Sequence, residues 1–328
     1  MPPSLRRGIV TAIVERLEEL ARIEVDGEPC IAYPRVTGSV ERGDEVIVNV
    51  QARELELGSG GFDVLYVNLT RGLGLAADPD AHVMTLPYTP LQAAVRHVEE
   101  DGALAESLDG MPVVCCSLHS QLAPACAGIG DDVRVAYLQL SGGALPVSLS
   151  DSLRALKKRG LVELGIATGA CFDGDVQAVS VASALAWAKA EGFAVAVCAV
   201  GPGIVGTASA LGHGGVAAAE AANAASALGG SPVLAVRVSE RDSRERHQGV
   251  SHHTRAVLDL AIGDVTVAWP AGLEAPEWLA EREEVDAADW REACAGLPLE
   301  HMGRGPDDDP WFFASAFAAG RLARRLVA

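Results

Sequence analysis

Long apolar runs are missing from this sequence of 328 residues. No window approaches the roughly 18 uninterrupted apolar residues that a membrane-spanning helix requires, because Gly, Pro or a charged residue interrupts every run. The first residues also lack the apolar stretch and the small-residue cleavage site of a signal peptide. We therefore expect a cytoplasmic protein that has no membrane partner.

Positive charge is also scarce, since the formal net charge is −18 at pH 7. Non-specific binding to nucleic acid or to an anionic membrane depends on Lys and Arg side chains that neutralise phosphates. The composition therefore predicts no nucleic-acid partner. A local cluster of positive side chains in such a chain needs an explanation of its own.

Several catalytic and metal-binding motifs are absent. The seven cysteines include no C-x-x-C pair, which argues against a disulfide framework and against a structural zinc site. No G-x-S-x-G motif occurs, so a serine hydrolase of that type is not expected. The histidines show no H-x-x-x-H spacing, and no metal ligand is assigned. A metal-dependent enzyme that uses His213, His247, His252 and His253 stays open as a third alternative.

The first 70 residues are rich in short strands of β-branched residues separated by turns such as Asp26-Gly27. They predict a small β-barrel-like domain over residues 1–70, a linker over 71–88, and an α/β domain with a C-terminal helical extension over 89–328. Thr89-Pro90 is expected to begin a helix. The predicted barrel strands are 7–14, 21–25, 29–33, 45–50 and 63–69.

From residue 112 onward, apolar runs of strand length alternate with segments of helix length. Such runs indicate parallel strands that are buried on both faces. The prediction is a doubly wound, Rossmann-like α/β fold whose mostly parallel sheet carries helices on both faces. The expected strands are 112–118, 133–140, 161–167, 193–200, 232–238 and 265–269, and the expected helices lie near 119–129, 148–159, 175–191, 208–228 and 251–262.

The fourth of these strands runs into Gly201-Pro-Gly-Ile-Val-Gly-Thr207. Gly201, Gly203 and Gly206 match the G-x-G-x-x-G pattern of dinucleotide sites, and the backbone N–H groups of a helix start form an anion site. We expect these glycines, Thr207 and the Ser141-Gly142-Gly143 loop to bind the ligand. The lysine of a P-loop is missing, and a tight turn with close packing is the structural alternative.

A segment rich in arginine and histidine follows the fifth strand, over residues 237–255. Arginine and imidazole groups suit phosphate or carboxylate recognition. Arg244 and Arg246 are the predicted anion partners; pairing with Glu240, Asp242 and Glu245 is the alternative. The candidate catalytic residues, which would transfer protons near neutral pH, are His119, His247, His252, His253 and Asp173. Helix capping is the alternative for Asp173 and for Ser251.

The last segment begins with three aspartates before Pro310, which favours a helix start there. Phe312, Phe313 and Phe317 give this helix an aromatic face. We expect it to dock on the α/β domain or on a second subunit.

Four motifs together resemble an uncharacterised bacterial family that is catalogued only as a domain of unknown function. They are Tyr88-Thr-Pro-Leu-Gln92, Gly142-Gly-Ala-Leu-Pro146, Gly201-Pro-Gly-Ile-Val-Gly-Thr207 and Arg244-Glu-Arg-His-Gln-Gly-Val-Ser-His-His253. The resemblance extends over essentially the whole chain. It implies no activity, so the site assignments rest on the residues alone.

The sequence thus predicts a protein that binds a phosphorylated or nucleotide-like small anion where the parallel strands end. Nucleotides and other phosphorylated compounds are the candidate cofactors. Whether catalysis accompanies binding stays open. The alternative is a non-catalytic ligand-sensing or assembly module, for which a homo-oligomer is expected.

Overall fold

The structure is a computed structural model that describes residues 2–57, 60–76 and 78–327. Residue contacts divide the chain into two compact units, Met1–Val95 and Arg96–Ala328. The first unit includes residues 71–88, to which the sequence analysis assigns a linker.

The first unit contains the predicted barrel. Its strands β1 to β5 close in the order β1-β2-β3-β5-β4, with β3 parallel to β5. Buried and half-exposed residues alternate along β2, where Ala21, Ile23 and Val25 face the interior. This alternation is required in a closed barrel whose interior is apolar and whose outer face contacts solvent. The elements are β1 (Leu5–Arg16), β2 (Ala21–Val25), β3 (Glu28–Ala32), α1 (Pro34–Thr37), β4 (Glu45–Asn49), α2 (Gln51–Glu54) and β5 (Asp63–Asn68).

A small hairpin completes the first unit. Strand β6 (Val83–Thr85) pairs with the antiparallel strand β7 (Ala93–Val95). The prediction that Thr89-Pro90 begins a helix is therefore wrong. The amide of Gln92 donates to the carbonyl of Thr89 over 3.1 Å, so Thr-Pro forms part of a hairpin turn, a role that suits these residues as well as a helix cap does. Pairing with β6 then decides the conformation of Ala93–Val95.

The second unit is built on an eight-stranded sheet in which every neighbouring pair is parallel. All six predicted strands are present. The sheet adds two short edge strands, β11 and β17, and the strand order is β11-β10-β9-β12-β8-β13-β16-β17. The strands of this unit are β8 (Pro112–Cys116), β9 (Val135–Leu140), β10 (Leu164–Thr168), β11 (Val176–Ala178), β12 (Val195–Val200), β13 (Ser231–Ala235), β14 (Val238–Ser239), β15 (Gly249–Val250), β16 (Thr266–Pro270) and β17 (Glu283–Val285).

Helices cover both faces of the sheet, as predicted. Side chains along β8 alternate between the two cores: Val114 and Cys116 pack with α4, α5 and α10, whereas Val113 and Cys115 pack with α6, α7 and α8. Among the described residues, no helix is both long enough and apolar enough to cross a bilayer. The helices are α3 (Val98–Asp101), α4 (Leu122–Ile129), α5 (Asp151–Lys158), α6 (Val181–Ala190), α7 (Ala217–Ala227), α8 (His252–Leu260), α9 (Trp290–Ala293) and α10 (Pro310–Leu326).

The helix α10 docks on the sheet of its own unit, which is one of the two predicted outcomes. Phe312, Phe313 and Phe317 are fully buried in the core that it shares with α4. A Cβ atom added at Gly320 would lie 1.8 Å from the carbonyl oxygen of Ala125. The backbones of α4 and α10 therefore touch, and glycine is required where they meet.

Candidate functional site

The carboxyl edge of the sheet, where its parallel strands end, gathers the loops that the sequence analysis selects. His119 follows β8, the loop 141–145 follows β9, and Asp173 follows β10. The glycine loop, residues 201–214, follows β12, and residues 237–253 follow β13. Because β12 and β13 are both neighbours of β8, the last two segments leave the same edge close together.

The glycine loop interlocks with the loop 141–145. The amide of Ala144 donates to the carbonyl of Pro202 over 2.8 Å, and the amide of Val205 donates to the carbonyl of Gly142 over 3.0 Å. A Cβ atom at Gly201 would lie 2.0 Å from the Ala144 oxygen, and one at Gly214 would lie 1.9 Å from the Gly142 oxygen. Close contact between two backbones therefore explains Gly142, Gly201 and Gly214.

The glycine loop does not open directly into a helix, which contradicts the prediction of a helix from residue 208. The helix α7 begins only at Ala217, after a short 3₁₀ turn at Gly214–Val216. The amide of Thr207 donates to the carbonyl of Gly212 over 2.7 Å, and its hydroxyl lies 2.8 Å from Ser209 Oγ. Such local side-chain bonds favour a turn over a helix. Gly203, Gly206 and Thr207 are exposed at the edge.

Arg237 is the most deeply buried arginine at this edge, since only 1% of it is exposed. Its Nη1 donates to His253 Nδ1 over 2.9 Å. Its Nε and Nη2 have no hydrogen-bond partner among the residues that the structure describes. Burial, followed by the charge of Arg244, lowers the pKa of Arg237 to about 10. The guanidinium thus stays charged at neutral pH, and two of its three nitrogens are unsatisfied.

One buried carboxylate, Asp242, lies beside Arg237, and a second, Asp309, is joined to Asp242 through Arg304. Asp242 accepts two hydrogen bonds of 2.8 Å from Arg244 and one of 3.2 Å from Arg304, and its nearest distance to Arg237 is 3.6 Å. Asp309 accepts from Arg304 over 3.2 Å. The hydrogen bond from Arg244 holds the pKa of Asp242 well below its ordinary value. We call these five residues the arginine centre; it holds three guanidinium groups and two carboxylates.

Of the two arginines that were predicted to bind the anion, one is paired with a carboxylate and the other is exposed, and their anion-binding role stays a prediction. Arg244 has its Nε and Nη2 engaged by Asp242, which is the pairing that the sequence analysis gives as the alternative. Arg246 is exposed. Among the described residues of this segment, Arg237 is the buried arginine whose donors lack hydrogen-bond partners.

Four histidines lie together next to the arginine centre: His213, His247, His252 and His253. The rings of His213 and His253 stack with 3.7 Å between centroids. His252 lies 5.2 Å from His213 and 4.6 Å from His253 by the same measure, and His247 lies 4.8 Å from His252. The structure thus joins the end of the glycine loop to the segment after β13, through His213.

Backbone and hydroxyl groups fix the orientation of these rings. His213 Nε2 lies 3.0 Å from the carbonyl oxygen of Ala210, and His247 Nδ1 lies 2.7 Å from Ser251 Oγ. Ser251 also caps α8, because its hydroxyl accepts from the amide of His253; the predicted cap is confirmed. His213 Nδ1 and His252 Nε2 are buried with no partner among the described residues.

Burial and nearby arginines keep these imidazoles neutral. Burial, then Arg237, lowers the pKa of His247 to about 3 and that of His253 to about 2. Burial also lowers the pKa of His213 and His252. A group that transfers protons near neutral pH needs a pKa close to 7. The predicted proton-transfer role is therefore not supported by this environment, which instead suits neutral ligands and acceptors.

His119 and Asp173 lie at the ends of β8 and β10. His119 Nδ1 lies 3.3 Å from the carbonyl oxygen of Val200, and its Nε2 lies 2.8 Å from Ser150 Oγ. Burial lowers the pKa of His119 to about 4. Asp173 has a φ of +64° and accepts a hydrogen bond from Ser148. Both ring nitrogens of His119 thus have partners within the protein, and the proton-transfer roles of His119 and Asp173 stay predictions.

Three residues of the site were missed by the sequence analysis, namely His301, Arg304 and Asp309. His301 stacks on Phe312 with 3.7 Å between centroids. Burial, then Arg237, lowers the pKa of His301 to about 3. Asp309 was predicted only as part of the helix start. Its side chain makes no cap but accepts from Ser239 Oγ.

A cleft of about 370 Å³ lies nearby, beside β14 and β15. Its lining residues include Trp269, Glu240 and Glu274, but neither Arg237 nor a histidine. The cleft carries negative charge and is open to solvent, whereas the unsatisfied groups lie in the arginine centre and the histidine cluster. We therefore place the candidate site at those two features.

The fold and the site define a protein with a five-stranded barrel and a parallel α/β unit that has a buried arginine-histidine site where its strands end. The chain belongs to the family described as a protein of unknown function, DUF3866, whose model matches residues 29–320. The resemblance to an uncharacterised family is thus confirmed. No curated protein matches the chain, and no solved structure matches it.

Proposed function

We propose that this protein binds a small phosphorylated anion at the carboxyl edge of its sheet, and that Arg237 is the main partner of that anion. The observation that carries the proposal is a guanidinium that is 1% exposed while its Nε and Nη2 have no partner among the described residues. Under this proposal the ligand binds beside the glycine loop and not on its backbone amides.

The energetics of burial support this choice. Each buried donor without an acceptor costs about 1–3 kcal/mol, and more when the group is charged. Phosphate offers several acceptor oxygens to the fork of a guanidinium, and such bonds are short and strong. Asp242 cannot supply them in full, because its oxygens already accept from Arg244 and Arg304. An anion would therefore remove a penalty that the protein alone leaves in place.

The local charge supports it as well. Three guanidinium groups of the arginine centre face two carboxylates, Asp242 and Asp309, in a chain whose formal net charge is −18. The neighbouring imidazoles are neutral. The excess positive charge is thus local, and its buried member is Arg237, which acts in a low dielectric and attracts an anion more strongly than a solvated arginine does.

The test is a thermal-shift series with phosphate, sugar phosphates and nucleotides, all in the presence of EDTA. A ligand at 100 times its Kd stabilises the native state by about 2.7 kcal/mol, so the melting temperature should rise. In Arg237→Met the rise should disappear. The matched control is Arg246→Met, which removes an exposed arginine of the same segment and should keep the rise.

Two results would overturn the proposal. One is the absence of a shift with every phosphorylated compound in a wild-type protein that melts cooperatively. The other is a shift that survives in Arg237→Met and is lost in Arg246→Met, which would move the anion to the surface. If Arg237→Met does not fold, Arg237→Lys takes its place: it keeps a charge but not the fork, and should weaken binding at least tenfold.

A further inference from the structure

We infer that His213, His252 and His253 form a binding site for one divalent transition-metal ion of the zinc class. One potential donor atom from each of these residues lies within 4.8 Å of the other two. His213 comes from the end of the glycine loop, and the other two begin α8. This inference is separate from the proposed anion, because the metal would be held by imidazoles and not by Arg237.

The ring of His213 already has the orientation and the tautomer that a metal ligand needs. Its Nε2 faces the carbonyl oxygen of Ala210 over 3.0 Å. A carbonyl only accepts, so the ring proton of a neutral His213 resides on Nε2, and Nδ1 carries a lone pair. A backbone carbonyl that orients the second nitrogen is the usual support for a metal-bound histidine. The Nδ1 atom is buried without a partner among the described residues.

His252 supplies a second unsatisfied nitrogen. Its Nε2 is buried and has no partner among the residues described, and its ring lies 5.2 Å from that of His213. An anion cannot satisfy the lone pair of His213, since both would be acceptors. A metal ion bonds to such lone pairs directly, and imidazole nitrogen is a preferred ligand of zinc.

His253 completes the set after a movement. Its ring now stacks on His213, with an interplanar angle of 12°, and its Nδ1 accepts from Arg237. A metal in the plane of His213 lies out of the plane of a stacked ring, so His253 must turn to bind. Tetrahedral zinc with bonds of about 2.0–2.1 Å would bring its ligand atoms to roughly 3.4 Å from one another. Metal binding is therefore expected to contract the cluster.

Three histidine ligands leave a fourth position open, as in catalytic zinc sites. Turning His253 also frees Nη1 of Arg237, which now bonds to that ring. Metal binding would thus add a donor to the arginine centre. A bound metal and Arg237 are therefore expected to favour the same anionic ligand.

The test uses the full chain without an affinity tag, first treated with a chelator and then titrated with Co²⁺. Visible d–d absorption should saturate at one equivalent, and Zn²⁺ should displace the cobalt and be retained after dialysis. His213→Ala and His252→Ala should each weaken binding more than about 100-fold, since losing only an outer-shell partner costs about 10–100-fold. His82→Ala, an exposed histidine of the first unit, is the control and should bind as the wild type does.

A measurement on the wild-type protein is sufficient to overturn the inference. If it binds neither cobalt nor zinc beyond the level of a histidine-free control protein, a buried water is the occupant that satisfies the ring nitrogens. Binding that is unchanged in His213→Ala and His252→Ala would also overturn it. Because the anion experiment is run in EDTA, a failure here leaves the anion proposal standing, and the reverse also holds.

Discussion

The glycine loop and the arginine centre lie at the same edge of one sheet. They differ in whether their hydrogen-bonding groups have partners within the protein. The amides of Val205 and Thr207 are used by neighbouring carbonyls, and glycines allow the loop to touch another backbone. In the arginine centre, buried nitrogens of Arg237 have no partner among the described residues. The glycine pattern here thus reflects the close approach of two backbones, whereas the nitrogens of Arg237 that lack a partner are the feature on which the proposed anion site rests.

The largest expected effect concerns the glycine loop and tests whether its glycines are required by contact between two backbones. In Gly214→Ala the new Cβ would lie 1.9 Å from the carbonyl oxygen of Gly142, so two backbones must separate. We expect a loss of about 3 kcal/mol in the free energy of unfolding, at the upper end of typical overpacking costs. Urea denaturation measures it.

The matched control is Gly203→Ala in the same loop. Gly203 has nothing within 4 Å of an added Cβ, and its φ is +67°. Only the left-handed conformation opposes alanine there, at about 1 kcal/mol. Equal losses in the two variants would contradict the interlocked loops.

The second largest effect is expected at the buried site, and it tests whether His301 is held neutral. The folded-state pKa of His301 is lowered to about 3, below its unfolded value near 6.5. The unfolded chain therefore binds the proton first, and the stability that comes from neutral His301 is present above pH 6.5 and falls with decreasing pH. The loss should reach about 2 kcal/mol at pH 5, because each pH unit in this window is worth about 1.4 kcal/mol.

Urea denaturation at pH 7, 6 and 5 in EDTA measures this effect. His301→Gln should flatten the profile by the share of one proton, while His82→Gln, an exposed position, should leave it unchanged. A profile that is as steep in His301→Gln as in the wild type would show that His301 is not held neutral.

The smallest effect is expected at the glycine loop. The Thr207 hydroxyl is exposed and bonds only within its own turn, to Ser209 and to Gly212. Thr207→Val should change stability by no more than about 0.5 kcal/mol, as for most surface substitutions, and should leave the anion-induced melting shift unchanged. A loss of that shift, measured beside Arg237→Met, would return the ligand to the glycine loop.

Much of the fold follows from local patterns. Central strands of the sheet such as Val195–Val200 are continuous apolar runs, and the barrel strands β2 and β4 alternate in burial. The edge strands β11 and β17 have only three residues each, too few to show a period. The hairpin of β6 and β7 depends on pairing across residues 86–92, which no local signal specifies.

The edge of the sheet that carries the candidate site could be predicted from the sequence, but the residues that make up the candidate site could not. Parallel strands bring their carboxyl ends to one edge, which selects the loops after β12 and β13. The residues that complete the arginine centre, Arg304 and Asp309, are more than 60 positions from Asp242 and Ser239 along the chain. No spacing rule connects them. Whether the hydrogen-bond donors of each arginine have partners depends on these tertiary contacts. The sequence therefore favoured Arg244, whereas the proposed anion site rests on Arg237.

The docking of α10 also has a consequence for biosynthesis. A nascent chain that has emerged only as far as α8 contains Arg237 and Asp242, but not Arg304 or Asp309. In the folded protein, Arg304 pairs with both Asp242 and Asp309. The sheet face that Phe312 and Phe317 cover is then open to water and to chaperones. The arginine centre is thus completed only after the helix has been translated and has docked, and an interrupted chain exposes an apolar surface by which quality-control factors can recognise it.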